Sequence, residues 1–119
     1  MKSKRVLFLV ESPKKAMDRA FREMQKPTKK YAGVTIVTFP NYESLGKVIT
    51  PARLQLLAVI RAQKPKSLQE LARFVDRDFK NVYQDVQILE QYGLVETKTR
   101  SRGKASAPVA LFEEIILAA

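Results

Sequence analysis

The chain contains no cysteine, no histidine and no tryptophan, and only four of its 119 residues are glycine. Without cysteine it has neither disulfides nor thiolate zinc sites. Without histidine it lacks the commonest general base and metal ligand. A metal would have to be held by carboxylates alone, and neither a metal nor an organic cofactor is expected. Acid is scarce too: 12 Asp and Glu stand against 22 Lys and Arg, a formal net charge of +10. A surplus of that size concentrates polyanions around the molecule and favours nucleic acid as a partner. The chain also lacks a long apolar run. Val6–Val10 follows Lys2, Lys4 and Arg5 but is too short for the core of a signal peptide or for a membrane span. A soluble, cytoplasmic, nucleoid-associated protein with no membrane partner is expected. What the sequence does have is 45% hydrophobic residues, enough for a folded core.

The hydrophobic pattern predicts an α+β chain. "RVLFLVE" reads as a short buried strand. "SPKKAMDRAFREMQK" reads as a helix, with Ser12 as N-cap and Pro13 at the first helical position. Met17, Ala20, Phe21 and Met24 recur at helical spacing, and Pro27 ends the element. "GVTIVTF" supplies a second strand expected to pair with the first. Residues 1–40 are thus expected to form a strand–helix–strand extension, and residues 41–119 a second domain. There, "NYESLGKVI" is a helix capped by Asn41. Thr50-Pro51 opens "ARLQLLAVIRAQK", in which Leu54, Leu57, Ala58 and Arg61 share a face, and Leu56, Val59 and Ile60 widen it. Ser67 and Glu70 form a capping box before a short helix. After a turn at Val75–Arg77, Asp78 is expected to cap "FKNVYQDVQILEQY", and Gly93 to end it. "LVETKTRS" and "APVALFEEIIL" read as an antiparallel hairpin.

Two features of the second domain point to DNA. Phe79, Val82, Val86 and Leu89 form one stripe for packing, so the other face of that helix carries Arg77, Lys80, Asn81, Gln84, Gln87 and Gln91. Lysine and arginine suit phosphates and guanine, and side-chain amides suit adenine edges. The hairpin then alternates Lys98, Arg100 and Arg102 along one strand face, with Lys104 at the tip, a cationic edge suited to a phosphate backbone. Long helix, short helix, tight turn, amphipathic helix and basic hairpin is the order of a winged helix-turn-helix.

Thr50–Glu96, "TPARLQLLAVIRAQKPKSLQELARFVDRDFKNVYQDVQILEQYGLVE", resembles the winged helix-turn-helix of MarR-like prokaryotic regulators. It is most similar to a subgroup with the blocks T-P-x-R-L-x-L-L, S-[LI]-x-E-L-A, R-D-x-K-N-V-x-x-D-V-x-x-L and G-L-V. The chain departs from that pattern at Asp76, where glycine is more usual. The resemblance implies a dimeric repressor that binds double-stranded DNA at inverted half-sites. Arg77, Lys80, Asn81, Tyr83 and Gln84 would face the DNA, and Asp85 would have a structural or ion-pairing role on the same helix. Some members resemble antitoxins, so a toxin protein bound through the N-terminal region is an alternative partner. A second resemblance is shorter. "VLFLVESPKKA" is similar to the opening of the Toprim module of type IA topoisomerases, with Asp76 and Asp78 spaced like its D-x-D pair. In that module the aspartates end an apolar strand, whereas here they follow the helical "LQELARF". The chain is therefore expected not to be an enzyme.

Overall fold

The computed structural model describes residues 5–99 and 106–118. The chain divides into two compact units, Met1–Lys47 with Phe112–Ala119, and Val48–Leu111. It is an α+β protein, with strands in both units.

The first unit is built on β1 (Arg5–Val10), the centre of a three-stranded sheet with β2 (Val34–Phe39) on one side and β5 (Glu114–Ala118) on the other. Both neighbours run parallel to β1, with Phe8 level with Val37 and Leu117. Alternation along β1 turns Val6 and Phe8 into the core, and the Phe8 ring lies 5.9 Å from that of Phe39. The expected pairing of the first two strands is present. The expected antiparallel pairing is present between Val95–Thr99 and Ser106–Ala110, but the last part of its second arm leaves it for the first unit, across the 40/41 division. "APVALFEEIIL" breaks at Leu111–Glu113, and its apolar end completes the N-terminal sheet. A central parallel strand needs a neighbour on both sides for its backbone groups, and Ile115–Leu117 meet that need.

Helix α1 (Pro13–Gln25) starts where Ser12 accepts a hydrogen bond from the Lys15 N–H at 3.2 Å, ahead of Pro13. Its orientation differs from the usual one. No residue of α1 is buried, and the half-buried positions are Ala16, Arg19 and Glu23. The apolar stripe faces solvent, with Met17, Phe21 and Met24 exposed by 73%, 61% and 81%. Arg19 holds the polar side in place through Glu11, at 2.6 Å and 2.9 Å. Its guanidinium also lies 5.8 Å from the Tyr31 ring centroid. Helix α2 (Tyr42–Val48) begins at Asn41, whose side-chain oxygen accepts from the Ser44 N–H at 2.8 Å.

The second unit contains α3 (Pro51–Gln63), α4 (Leu68–Val75), α5 (Phe79–Gln91) and an antiparallel pair, β3 (Val95–Thr99) with β4 (Ser106–Ala110). Thr50 caps α3, and the Ser67 hydroxyl caps α4 by accepting from the Glu70 N–H at 3.0 Å. The capping box is shifted by one residue, because the Glu70 carboxylate returns to the Lys66 N–H. The core comprises Leu56, Leu57, Ile60, Leu71, Val82, Val86, Leu89, Leu94 and Val95. α3 packs through Leu56, Leu57 and Ile60; of the expected Leu54 face only Leu57 is buried, with Leu54, Ala58 and Arg61 exposed.

Two turns fix the path of α5. Asp76 stands in the left-handed region at φ 53°, and the Arg77 N–H reaches back to the Ala72 carbonyl at 3.0 Å. Aspartate is among the few non-glycine residues that visit this region readily, so the departure at residue 76 keeps the turn. At the far end Gly93 adopts φ 74°, and the Leu94 N–H closes on the Leu89 carbonyl at 3.0 Å. A methyl group at Gly93 would meet nothing within 4 Å, so any penalty there is conformational and not steric. We expect Gly93→Ala to lower stability by about 1–2 kcal/mol. Urea unfolding should show a lower midpoint at unchanged slope.

Candidate nucleic-acid interface

α5 buries Val82, Val86 and Leu89, each no more than 1% exposed, against the rest of its unit. The 3.6-residue repeat then sends Lys80, Gln84, Gln87 and Gln91 outward, flanked by Asn81 on one side and Tyr83 on the other, and all six are exposed. α5 carries two carboxylates, and both are engaged elsewhere. Asp85 lies between two arginines. Its Oδ1 accepts from Arg53 Nε at 3.1 Å and its Oδ2 from Arg77 NH2 at 2.8 Å. Arg53 also donates to the Val48 carbonyl at 2.9 Å, which ties the start of α3 to the middle of α5. Glu90 accepts from the Thr97 hydroxyl at 3.1 Å, linking α5 to β3. The outward face therefore presents one ammonium and four amides, with the exposed Glu90 carboxylate bonded to Thr97 at its Tyr83 flank.

Several expected positions differ in detail. Phe79 does not belong to the packed stripe. It is 41% exposed and stacks on Tyr83, itself 42% exposed, with ring centroids 6.0 Å apart. Asp78 occupies the N-cap position, but its carboxylate makes no capping hydrogen bond. Arg77 is turned into the Asp85 network, with its NH1 atom buried and unpartnered, so it is not a free cation on the outward face. Gln87 donates to the Tyr83 hydroxyl at 3.0 Å. Those two residues line a groove of about 280 Å³ with Glu90, Thr97 and Ser106, where α5 faces the hairpin.

On the hairpin, Lys98 is exposed and pairs with Ala107 across the strands. Arg100, Arg102 and Lys104 lie outside the described residues. Sequence reasoning missed the Arg53–Asp85 pair. Its signal was a lone aspartate on an amide-rich helix, and nothing local in the sequence names a partner 32 residues away. Of the carboxylates shared with the Toprim opening, Glu11 is paired with Arg19, while Asp76 and Asp78 flank the turn into α5. No helix among the described residues is long and apolar enough to cross a membrane.

The geometry thus defines an α+β chain whose helical unit carries an exposed amide-rich helix beside a two-stranded hairpin. The HVO_A0114 family matches residues 48–117, more than half of the chain, and the chain belongs to that family. No curated protein and no solved structure matches it.

Proposed function

We propose that the chain is a sequence-specific double-stranded DNA-binding regulator of the winged helix-turn-helix type, acting as a dimeric repressor of its own gene. The observation that carries this reading is the outward face of α5. Lys80, Asn81, Gln84, Gln87 and Gln91 are all exposed there, while Asp85 is turned to Arg53 and Arg77 and Glu90 is bonded to Thr97 at the flank. A helix of this diameter fits the major groove. Amides can bond bidentately to adenine, and Lys80 can reach guanine or phosphate. Lys98 on β3 extends the cationic surface, and the net charge of +10 supplies the sequence-independent attraction. The resemblance of Thr50–Glu96 to MarR-like regulators supports the same assignment. Phe79 and Tyr83 add an apolar flank suited to thymine methyl groups and sugars.

Fluorescence anisotropy at near-physiological salt tests the proposal. It would compare the DNA upstream of the protein's own reading frame with a shuffled duplex of equal length. We expect a preference of about two orders of magnitude or more for the upstream duplex. Equal binding to both, with a steep salt dependence, would replace the regulator with a non-specific nucleic-acid binder.

A further inference from the structure

We infer that α1 is a two-fold contact between two copies of this chain, paired antiparallel through Met17, Ala20, Phe21 and Met24. The starting point is the outward-facing stripe, since a helix with no buried residue and three large exposed apolar side chains lacks its packing partner. The order of residues says what that partner is. Met17-Asp18-Arg19-Ala20-Phe21-Arg22-Glu23-Met24 reads with nearly the same chemistry from either end. An isologous contact requires such self-complementarity, because each residue meets its own patch reversed. Antiparallel pairing sets Met17 against the second copy's Met24. It also sets Ala20, the smallest side chain of the stripe, against the second copy's Phe21.

Charge follows the same symmetry. Asp18 and Arg22 are exposed along the same edge of the stripe, and neither has an ion-pair partner among the described residues. In that register Asp18 lies one residue, about 1.5 Å of rise, from the level of the second copy's Arg22 on the same edge, within reach of an ion pair for side chains of this length, so two equivalent pairs close that edge. A uniformly acidic partner would leave Asp18 facing like charge, and a uniformly basic one would do the same to Arg22. Area is adequate as well. Three side chains at these exposures present on the order of 400 Å² of apolar surface per copy, about the largest patch a monomer carries. Two copies remove about twice that, and the aliphatic stems of Lys14, Arg22 and Gln25 bring the total to the ~1,000 Å² that a specific contact needs.

Sedimentation equilibrium of the full chain without DNA tests this, so its outcome is independent of whether the protein reads a DNA sequence. The wild type should sediment at twice the 13.6 kDa protomer mass at micromolar concentrations. Phe21→Glu, at an exposed position that leaves the core untouched, should weaken the dimer roughly 100-fold. Asp18→Arg and Arg22→Asp should each weaken it about tenfold, and the double exchange should restore it to within about threefold of wild type. Only a contact in which Asp18 meets Arg22 predicts that rescue. A wild type that stays monomeric at 100-fold higher concentration would overturn the inference and leave α1 to a different protein, a toxin-type partner among them. A dimer indifferent to Phe21→Glu, or a double exchange weaker than both single ones, would overturn it equally.

Discussion

Asp85→Ala is expected to lower the stability of the helical unit by about 2–4 kcal/mol. Asp85 is shared by Arg53 and Arg77, and the three side chains are only 14–27% exposed. Removing it takes the shared carboxylate away from two largely buried guanidinium groups at once. The cost is dominated by that stranded charge and not by the worth of the two hydrogen bonds. The Coulomb gain of a half-buried pair barely exceeds its desolvation, whereas an uncompensated half-pair is strongly unfavourable. Asp85→Asn keeps an acceptor oxygen without the charge and should lose about half as much. Arg77→Met removes one cation along with its buried, unpartnered NH1 atom, and should cost no more than about 1 kcal/mol. Thermal unfolding followed by helical circular dichroism should therefore rank the variants in that order. For a unit of this size the Asp85→Ala midpoint should fall by roughly 10 °C or more. A fall of only one or two degrees would mean that Asp85 is an ordinary solvated surface pair, with Arg53 and Arg77 finding water when it is gone.

The same network shows what a sequence can and cannot disclose. Rules that act within one helical turn were readable at most helix ends: Ser12 with Pro13, Thr50 with Pro51, the Ser67 cap and Gly93 sit where their chemistry requires, whereas Asp78 makes no capping bond and Glu70 returns to Lys66. So was the outward amide face of α5, because burial of Val82, Val86 and Leu89 determines which residues lie opposite them. Periodicity does not say what lies against a stripe, however. Met17, Phe21 and Met24 form as regular a row as the core of α5, yet α1 turns Arg19 inward to meet Glu11 and leaves the row in solvent. The hundred-odd residues separating Arg5 from Glu114 put the β1–β5 pairing beyond any local pattern, and the segment that supplies β5 read equally well as a continuation of the hairpin. Arg77 was misplaced for a related reason. Its position beside the helix start suits a phosphate contact, and only the tertiary structure shows that Asp85 already holds it.

Lys80→Ala combined with Gln84→Ala is expected to abolish the preference for a specific operator while leaving binding to arbitrary duplex DNA measurable. Both side chains lie near the centre of the exposed face of α5, one turn apart, and neither contributes to the core. Their loss should leave folding unchanged, so the effect will read out on recognition alone. A good base-edge contact discriminates by about 1–3 kcal/mol, so losing two should weaken operator binding by roughly 30-fold to 20,000-fold. Binding to a shuffled duplex rests on phosphate neutralisation and should fall much less, with the salt slope reduced by about one for the lost lysine. Arg77→Met provides the contrast. Because Arg77 serves Asp85, its replacement should weaken all duplexes alike, through the placement of α5 and not through any base. The discriminating quantity is the ratio of operator to shuffled affinity, measured for each variant at one salt concentration. If the Lys80/Gln84 double variant kept the wild-type ratio while Arg77→Met lost it, α5 would not be the reading helix. The specificity would then have to come from the aromatic flank at Phe79 and Tyr83 or from the hairpin.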